Sequence, residues 1–226
     1  MSTPRGTVRR SFTTVVRIPS GPRPPFALIV FGHGFAVSPT PYAPLLDDWA
    51  QAGYIVASPV FPLENAGARG GPNENDLPNQ PQDMSLVIDR MLSGSMGRLV
   101  RHHRIAVAGQ SDGGDTALAA AYDPRVRDSR IGAAVILSGA EDPFISRFSI
   151  PAGHVPLLAT QGTADTINPP WMTYQFYDPA SSPKFLLKLI GAGHLPPYTE
   201  PGTTLNTVAR GTTAFLNCYL LGGCAR

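Results

Sequence analysis

Apolar runs and amphipathic stretches alternate along the chain from residue 26 to the end. The apolar runs are short and rich in Val, Ile and Leu, which is typical of parallel strands covered by helices on both faces. The predicted strands are Phe26–Phe31, Tyr54–Ala57, Arg104–Ala108, Ala133–Leu137, Pro156–Thr160 and Lys184–Ile190. The predicted helices are Pro41–Ala52, Pro81–Leu92, Asp112–Tyr122, Pro169–Asp178 and Thr203–Leu220. This alternation predicts an α/β protein with a mostly parallel central sheet.

Two further segments flank these elements. Thr7–Ile18 alternates between apolar and polar positions, which predicts an edge strand or hairpin whose Arg9, Arg10 and Arg17 face solvent. Pro59–Gln80 contains several Gly and Asn residues and predicts an irregular loop at the rim of a site. Because no internal repeat or linker interrupts the pattern, we predict a single domain over residues 1–226.

Composition narrows the class of protein. A chain of 226 residues with 42% hydrophobic residues and a net charge of +2 suits a folded domain rather than a disordered one. Most of the basic residues are Arg and they are scattered, so nucleic acid is not a predicted partner. No apolar run approaches the roughly 20 residues needed to cross a bilayer. We therefore predict no membrane span, and we expect a monomer.

The chain contains two cysteines, Cys218 and Cys224, close to its end. Their spacing allows a small loop closed by a disulfide but fits no four-ligand zinc pattern, and two free thiols are the alternative. A disulfide would place the protein in an oxidising compartment. Met1–Arg10 has no apolar core of the signal-peptide type. We therefore predict a secreted protein whose signal peptide is absent from this sequence, and a cytoplasmic location stays open.

The clearest chemical signal is Gly109-Gln110-Ser111-Asp112-Gly113, which follows an apolar strand and begins a helix. This is the G-x-S-x-G pattern of a nucleophile elbow. A serine on such a tight turn needs glycine on both sides, because larger side chains would collide with neighbouring backbone. The helix N-terminus favours developing negative charge nearby. Ser111 is therefore the candidate nucleophile, and an ordinary helix N-cap is the alternative interpretation.

Two later residues complete the chain order of serine, acid and histidine. Asp165 and His194 each lie just past the end of a predicted strand, and the carboxyl ends of parallel strands meet at one edge of a sheet. His194 would take the proton of Ser111 and later give it to the leaving group, while Asp165 would orient the imidazole. Asp142, past the preceding strand, is the alternative acid. Ordinary turn and loop roles are the alternatives for Asp165 and His194.

The remaining histidines are not predicted to act in catalysis. His33 is expected to be structural in a turn after an early strand, His102 and His103 precede a strand at the opposite end of the sheet, and His154 lies in a loop. Because no two histidines have a metal-ligand spacing on one helix face, we predict no metal and no organic cofactor. Asp112 and Asp115 are expected to interact with the helix dipole. Candidate residues of an acyl pocket, with burial in the core as the alternative, are Phe35, Tyr42, Phe61 and Trp171.

On these motifs the chain resembles the α/β-hydrolase family over about residues 26–220. The resemblance implies an α/β-hydrolase fold with helices on both faces of the sheet. It also implies that the turn Gly32-His33-Gly34-Phe35 is the oxyanion-hole segment. The backbone N–H groups of Phe35 and Asp112 would then be the donors to the oxyanion.

Within that family the chain is similar to the small lid-less serine esterases, which include the chlorophyllase-like and the bacterial cutinase or polyester-hydrolase groups. The segments that carry this similarity are Asn79–Asp83 and Gly162–Asp165. The nucleophile position holds Ser111, whereas dienelactone hydrolases use a cysteine there. Asp112 stands where the polyester hydrolases usually carry Met.

Together these features predict a serine carboxylic-ester hydrolase that forms an acyl-enzyme with a small-molecule or polymeric ester. Only about 18 residues separate the strands that end at Leu137 and begin at Pro156, which predicts an open cleft without a lid domain. The alternatives are a cutinase-like polyester hydrolase of the PET type and, from another class, a non-catalytic binding protein on the same fold.

Overall fold

The computed structural model describes residues 10–21, 24–141 and 155–224, and a seven-stranded sheet forms its centre. The strands are β1 Thr14–Arg17, β2 Phe26–Gly32, β3 Tyr54–Pro59, β4 Val100–Gln110, β5 Ile131–Leu137, β6 Leu157–Gly162 and β7 Lys184–Leu189. Their order across the sheet is β1-β3-β2-β4-β5-β6-β7. Strand β1 is an antiparallel edge strand, and the other neighbouring strands are parallel. The predicted α/β architecture with a mostly parallel sheet is therefore confirmed.

Helices cover both faces of this sheet. They are α1 Ala43–Gln51, α2 Gln80–Met91, α3 Gly94–Gly97, α4 Asp112–Tyr122, α5 Pro170–Tyr177, α6 Pro196–Thr199 and α7 Thr203–Leu221. Alternate side chains of β2 point to opposite faces, so Leu28 packs with α2 and α4 while Ile29 packs with α1 and α7. The two cores pack against the two faces of the sheet, and the candidate residues lie at its edge.

The elements that the hydrophobic pattern missed are short or polar. Helices α3 and α6 have four residues each, and Pro59–Gln80 contains a 3₁₀ helix at Glu74–Asn79 instead of being wholly irregular. Such segments are too short to show a helical period. Strand β4 begins at Val100, and it includes His102 and His103 with exposed side chains. Backbone hydrogen bonding extends a strand beyond the stretch whose side chains are buried.

The prediction that Arg10 and Arg17 face solvent is wrong. Arg10 bonds to Asp76 at 2.6 Å and to Asp83 at 2.9 Å, and Arg17 pairs with Asp47. The side chains of Arg10 and Arg17 are only 21% and 17% exposed. A long Arg side chain can lie back along the surface to reach a carboxylate, which alternation along a strand does not reveal. Arg9 lies outside the described residues.

Three predictions, on the cysteines, on the connection between β5 and β6 and on membrane spans, can be compared with the structure. Cys218 in α7 forms a disulfide with Cys224, so the disulfide is confirmed and free thiols are excluded. The connection between β5 and β6 spans residues 138–156, of which 142–154 lie outside the described part, including Asp142 and His154. The absence of a lid there stays a prediction. None of the described helices combines the length and the apolar character needed to cross a membrane.

Candidate active site

Ser111 lies on a sharp turn between β4 and α4. Its φ of 54° and ψ of −127° are unusual for a residue with a side chain and cost conformational energy. Three hydrogen bonds hold this conformation: the Ser111 N–H donates to the carbonyl of Leu137 at 3.0 Å, and the Ser111 carbonyl accepts the N–H groups of Gly114 at 2.7 Å and Asp115 at 3.0 Å. The surrounding strand and helix therefore keep the strained serine in place.

Glycine is required on both sides of this turn. A Cβ atom on Gly109 would overlap the carbonyl oxygen of Gly113, and a Cβ atom on Gly113 would overlap the carbonyl oxygen of Gly32. A Cβ atom on Gly34 would lie 3.1 Å from Cβ of Ser111. The end of β2, the turn after it and the start of α4 thus approach so closely that only glycine fits.

Ser111, His194 and Asp165 form one hydrogen-bonded chain. His194 Nε2 lies 2.9 Å from Ser111 Oγ, and His194 Nδ1 lies 2.8 Å from Asp165 Oδ2. A carboxylate only accepts, so Nδ1 carries the proton and the lone pair of Nε2 faces the serine hydroxyl. The structure therefore brings together the three residues that the sequence analysis selected.

Asp165 is held as a carboxylate. Its Oδ1 accepts the backbone N–H groups of Ile167 at 3.0 Å and Asn168 at 2.9 Å, while Oδ2 faces His194. Burial by itself would raise the pKa of Asp165, but the hydrogen bond and charge of His194 and the two backbone N–H groups hold that pKa below its ordinary value. A fixed negative charge thus stands behind the imidazole.

Among residues 34–37 of the turn after β2, one backbone N–H group is available to an oxyanion. Gly34 donates to the hydroxyl of Tyr42, Ala36 to the carbonyl of Glu64, and Val37 to the carbonyl of Gly34. Within the described residues the N–H of Phe35 has no such acceptor. Asp112 is the first residue of α4 and directly follows Ser111. Both expected oxyanion donors therefore stand at chain positions that suit the role.

The ring of His33 stabilises this turn through two hydrogen bonds. It is fully buried, its Nδ1 donates to the carbonyl of Gly34 at 2.9 Å, and its Nε2 accepts the N–H of Phe61 at 3.1 Å. Burial lowers the pKa of His33 to about 4 despite the opposing bond to Gly34, so the ring is neutral at pH 7. His33 thus has the structural position that the sequence analysis expected.

The four candidate pocket residues divide into two pairs. Phe35 and Trp171 are 42% and 56% exposed, so a substrate can reach them. Tyr42 and Phe61 are fully buried in the two cores, and a bound substrate would not touch them in this conformation. Sequence alone did not distinguish an aromatic that lines a cleft from one that fills the core.

Two buried polar residues near Ser111 were missed by the sequence analysis. Gln110, 1% exposed, contacts His194, and Glu64, fully buried, faces Asp112. Burial, and after it the contact with and charge of the neighbouring carboxyl of Asp112, raise the pKa of Glu64 to about 10. Glu64 is therefore protonated at neutral pH. The only signal for it in the sequence is a lone Glu within a Gly- and Asn-rich loop.

The buried Glu64 predicts a pH dependence of stability. Below about pH 4.5 the group is protonated in both the folded and unfolded states. Between about 4.5 and 10 only the unfolded chain ionises there, so the free energy of unfolding falls as pH rises. We expect Glu64→Gln to gain melting temperature over the wild type at pH 9 more than at pH 5, measured by thermal unfolding. The exposed Glu200→Gln is the control, and parallel curves for wild type and Glu64→Gln would contradict the assignment.

Comparison of the sequence with protein-family models and with curated proteins finds no match. Solved structures do match. The apo form of Thermogutta terrifontis esterase 2 aligns with a TM-score of 0.74 and 18% identity over 96% of this chain and 92% of that chain. The same protein phosphorylated by paraoxon aligns with a TM-score of 0.73 and 18% identity, over 92% of this chain and 89% of that chain. DcsB in complex with its substrate analogue aligns with a TM-score of 0.72 and 15% identity, over 94% of this chain and 100% of that chain. At such identities the likeness establishes the fold, and the chain has the α/β-hydrolase fold that its sequence predicts.

Proposed function

We propose that this protein is a serine carboxylic-ester hydrolase. The observation that carries the proposal is the continuous chain from Ser111 Oγ through His194 to Asp165, with contacts of 2.9 and 2.8 Å. In this arrangement Ser111 attacks the ester carbonyl carbon while its proton passes to His194 Nε2. His194 then gives that proton to the departing alkoxide, and an acyl-enzyme remains. Water, deprotonated by the same nitrogen, releases the acid and restores Ser111.

The negative charge that develops on the carbonyl oxygen needs donors that are already in place. The N–H groups of Phe35 and Asp112 are our candidates, because both flank Ser111 and Gly34 lies against its side chain. The N-terminus of α4 adds a favourable field at the same point. The reaction requires no group beyond these residues and water, so we propose no cofactor.

Organophosphate labelling tests the proposal. Thermogutta terrifontis esterase 2 is phosphorylated by paraoxon, and we expect Ser111 of this protein to react in the same way. Paraoxon should add one diethyl phosphoryl group per chain by intact-mass spectrometry and abolish hydrolysis of p-nitrophenyl butyrate in parallel. The exposed Ser93→Ala variant should be labelled like the wild type, and Ser111→Ala should not be labelled. A wild type that neither hydrolyses the ester nor takes the label would instead favour the non-catalytic binding protein.

A cutinase-like polyester hydrolase of the PET type is the second candidate. The observation that favours it is a set of exposed apolar side chains on the segments that carry the oxyanion turn and Asp165: Phe35 in that turn, Ile167 two residues after Asp165, and Trp171 at the start of α5. Their exposed fractions are 42%, 66% and 56%, so all three side chains are accessible to an apolar polymer. Release of soluble products from an insoluble polyester film distinguishes this activity from that of a plain esterase.

We propose further that residues 1–226 form one domain, that it acts as a monomer, and that it works in an oxidising compartment. The elements from β1 to α7 all pack on one sheet. The Cys218–Cys224 disulfide supports an extracytoplasmic location, since reducing compartments keep such pairs as thiols.

A further inference from the structure

The carboxamide of Gln110 lies between the oxyanion turn and the catalytic base. Its Nε2 is 3.1 Å from His194 Nε2 and 3.3 Å from the carbonyl oxygen of His194. Its Oε1 accepts the hydroxyl proton of Tyr42 at 2.7 Å, and that hydroxyl oxygen accepts the N–H of Gly34 at 3.2 Å. A single buried hydrogen-bonded chain therefore joins the backbone beside the oxyanion donor to the imidazole that moves the proton.

The orientation of this amide is determined by its partners. The carbonyl oxygen of His194 can only accept, so the NH₂ group of Gln110 must face it. The hydroxyl oxygen of Tyr42 accepts the N–H of Gly34, and the hydroxyl donates its own proton to Oε1 of Gln110. Burial raises the pKa of Tyr42 well above its ordinary value, although the bond from Gly34 opposes this, so the hydroxyl stays a donor. Turning the amide over would break both bonds.

This orientation aims an N–H of Gln110 at the reacting nitrogen of His194. Because Asp165 holds the proton on Nδ1, Nε2 has one lone pair, and both Ser111 Oγ–H and Gln110 Nε2–H point towards it. Once the proton of Ser111 has moved to Nε2, the Gln110 N–H faces another donor. A hydrogen bond made only to the neutral form of a base disfavours its protonated form.

We propose that Gln110, oriented by Tyr42, is a positioning residue that holds the His194 ring against Ser111 and disfavours the imidazolium between proton transfers. The inference rests on the proposed ester-hydrolase function and adds to it. The bond from the Gln110 N–H to the ring exists only while His194 Nε2 carries no proton. The acidic limb of the kcat/KM profile, where activity rises as His194 loses its proton, reports this directly.

Other titratable groups surround this chain and must stay unchanged in the comparison. Asp165 faces the other ring nitrogen of His194, and three further groups interact electrostatically with Tyr42. These three groups are Glu64 on the loop after β3, Asp112 on α4 and Tyr198 on α6. The variants below leave all four of these residues in place.

The experiment compares Gln110→Leu, Gln110→Met and Tyr42→Phe with the wild type, using p-nitrophenyl butyrate from pH 5 to 9. Leu and Met fill the space of Gln without a donor, so one of them can replace the other if folding fails. Tyr42→Phe keeps Gln110 but removes the bond that orients it. Tyr54→Phe is the matched control, since it removes a buried hydroxyl bonded to Asn217 at 2.6 Å at the opposite end of the sheet.

We expect kcat to fall about tenfold in the Gln110 variants, with KM changed less than about threefold, because a hydrogen bond that acts through the base affects the chemical step. The midpoint of the acidic limb should move up by about half a pH unit or more. Tyr42→Phe should shift kcat and the midpoint in the same direction by less, and Tyr54→Phe should shift neither.

Three outcomes would overturn the inference: an unchanged midpoint in an active Gln110 variant, a shift in the opposite direction, or an equal shift in Tyr54→Phe. A failure of the proposed function looks different, because the wild type itself would then show no ester hydrolysis. The ¹H NMR signal of the His194 Nδ1–H in the folded protein gives a readout that needs no turnover. It should broaden in Gln110→Leu as the ring loses its second anchor, and not in Tyr54→Phe.

Discussion

Ser111→Ala is expected to reduce kcat for p-nitrophenyl butyrate by about 10⁴-fold or more, to a rate near the uncatalysed background. The reason is that His194 Nε2 and Asp165 remain aligned but no longer have a nucleophile to deprotonate. Initial rates across a substrate series give kcat and KM separately, and KM is expected to change little. A variant that retains more than about a hundredth of the wild-type rate would contradict the assignment of Ser111.

The stability of two Ser111 variants provides an independent check on the elbow. Ser111→Ala keeps a Cβ at a φ of 54°, so the conformational strain persists, whereas Ser111→Gly removes it. We expect both variants to be inactive. The Gly variant should unfold at the higher temperature, because its free energy of unfolding should exceed that of the Ala variant by about 1 kcal/mol. Ser93→Ala, on an exposed turn, controls for general loss of a hydroxyl. Equal melting temperatures for the Ala and Gly variants would show that the serine backbone is not strained.

The arrangement of Ser111, Asp165 and His194 could be predicted because each of them follows the end of a parallel strand. Ser111 follows β4, Asp165 follows β6 and His194 follows β7, so the topology of the sheet alone brings them to one edge. The apolar runs revealed those strands, and the two glycines around Ser111 revealed the turn. Helix α4 was predicted at its observed bounds, Asp112–Tyr122, since the elbow defines its start.

The residues that sequence reasoning missed contact partners on other elements of the fold. The hydrophobic repeat of a single helix or strand does not indicate such contacts. Gln110 meets Tyr42 across 68 positions of the chain, and Glu64 reaches Asp112 from a loop. In neither pair do the two residues have the spacing of neighbours on one helix or one strand. A buried polar side chain can be recognised only when its partner is known. The fold class was therefore readable from local pattern, whereas the polar network behind the triad was not.

The second large effect is expected for Asp165→Asn, and it follows from how that side chain is held. Its Oδ1 accepts the N–H groups of Ile167 and Asn168, so an Asn will keep its oxygen there and turn its NH₂ group towards His194. Two donors cannot share the contact with Nδ1, and the ring proton must therefore move to Nε2. In that tautomer the histidine has no lone pair facing Ser111 and cannot take its proton.

We expect this variant to lose about 10⁴-fold in kcat at neutral pH, with the fold and KM largely retained. Asp128→Asn is the matched control: Asp128 accepts the N–H of Arg130 at 3.0 Å and its guanidinium at 2.8 Å near the amino end of β5, at the edge opposite the triad. It should cost stability but not activity. Paraoxon should label Asp165→Asn far more slowly than wild type, because Ser111 is present but not activated. A loss of less than about tenfold would instead favour Asp142, the alternative acid of the sequence, as the partner of His194.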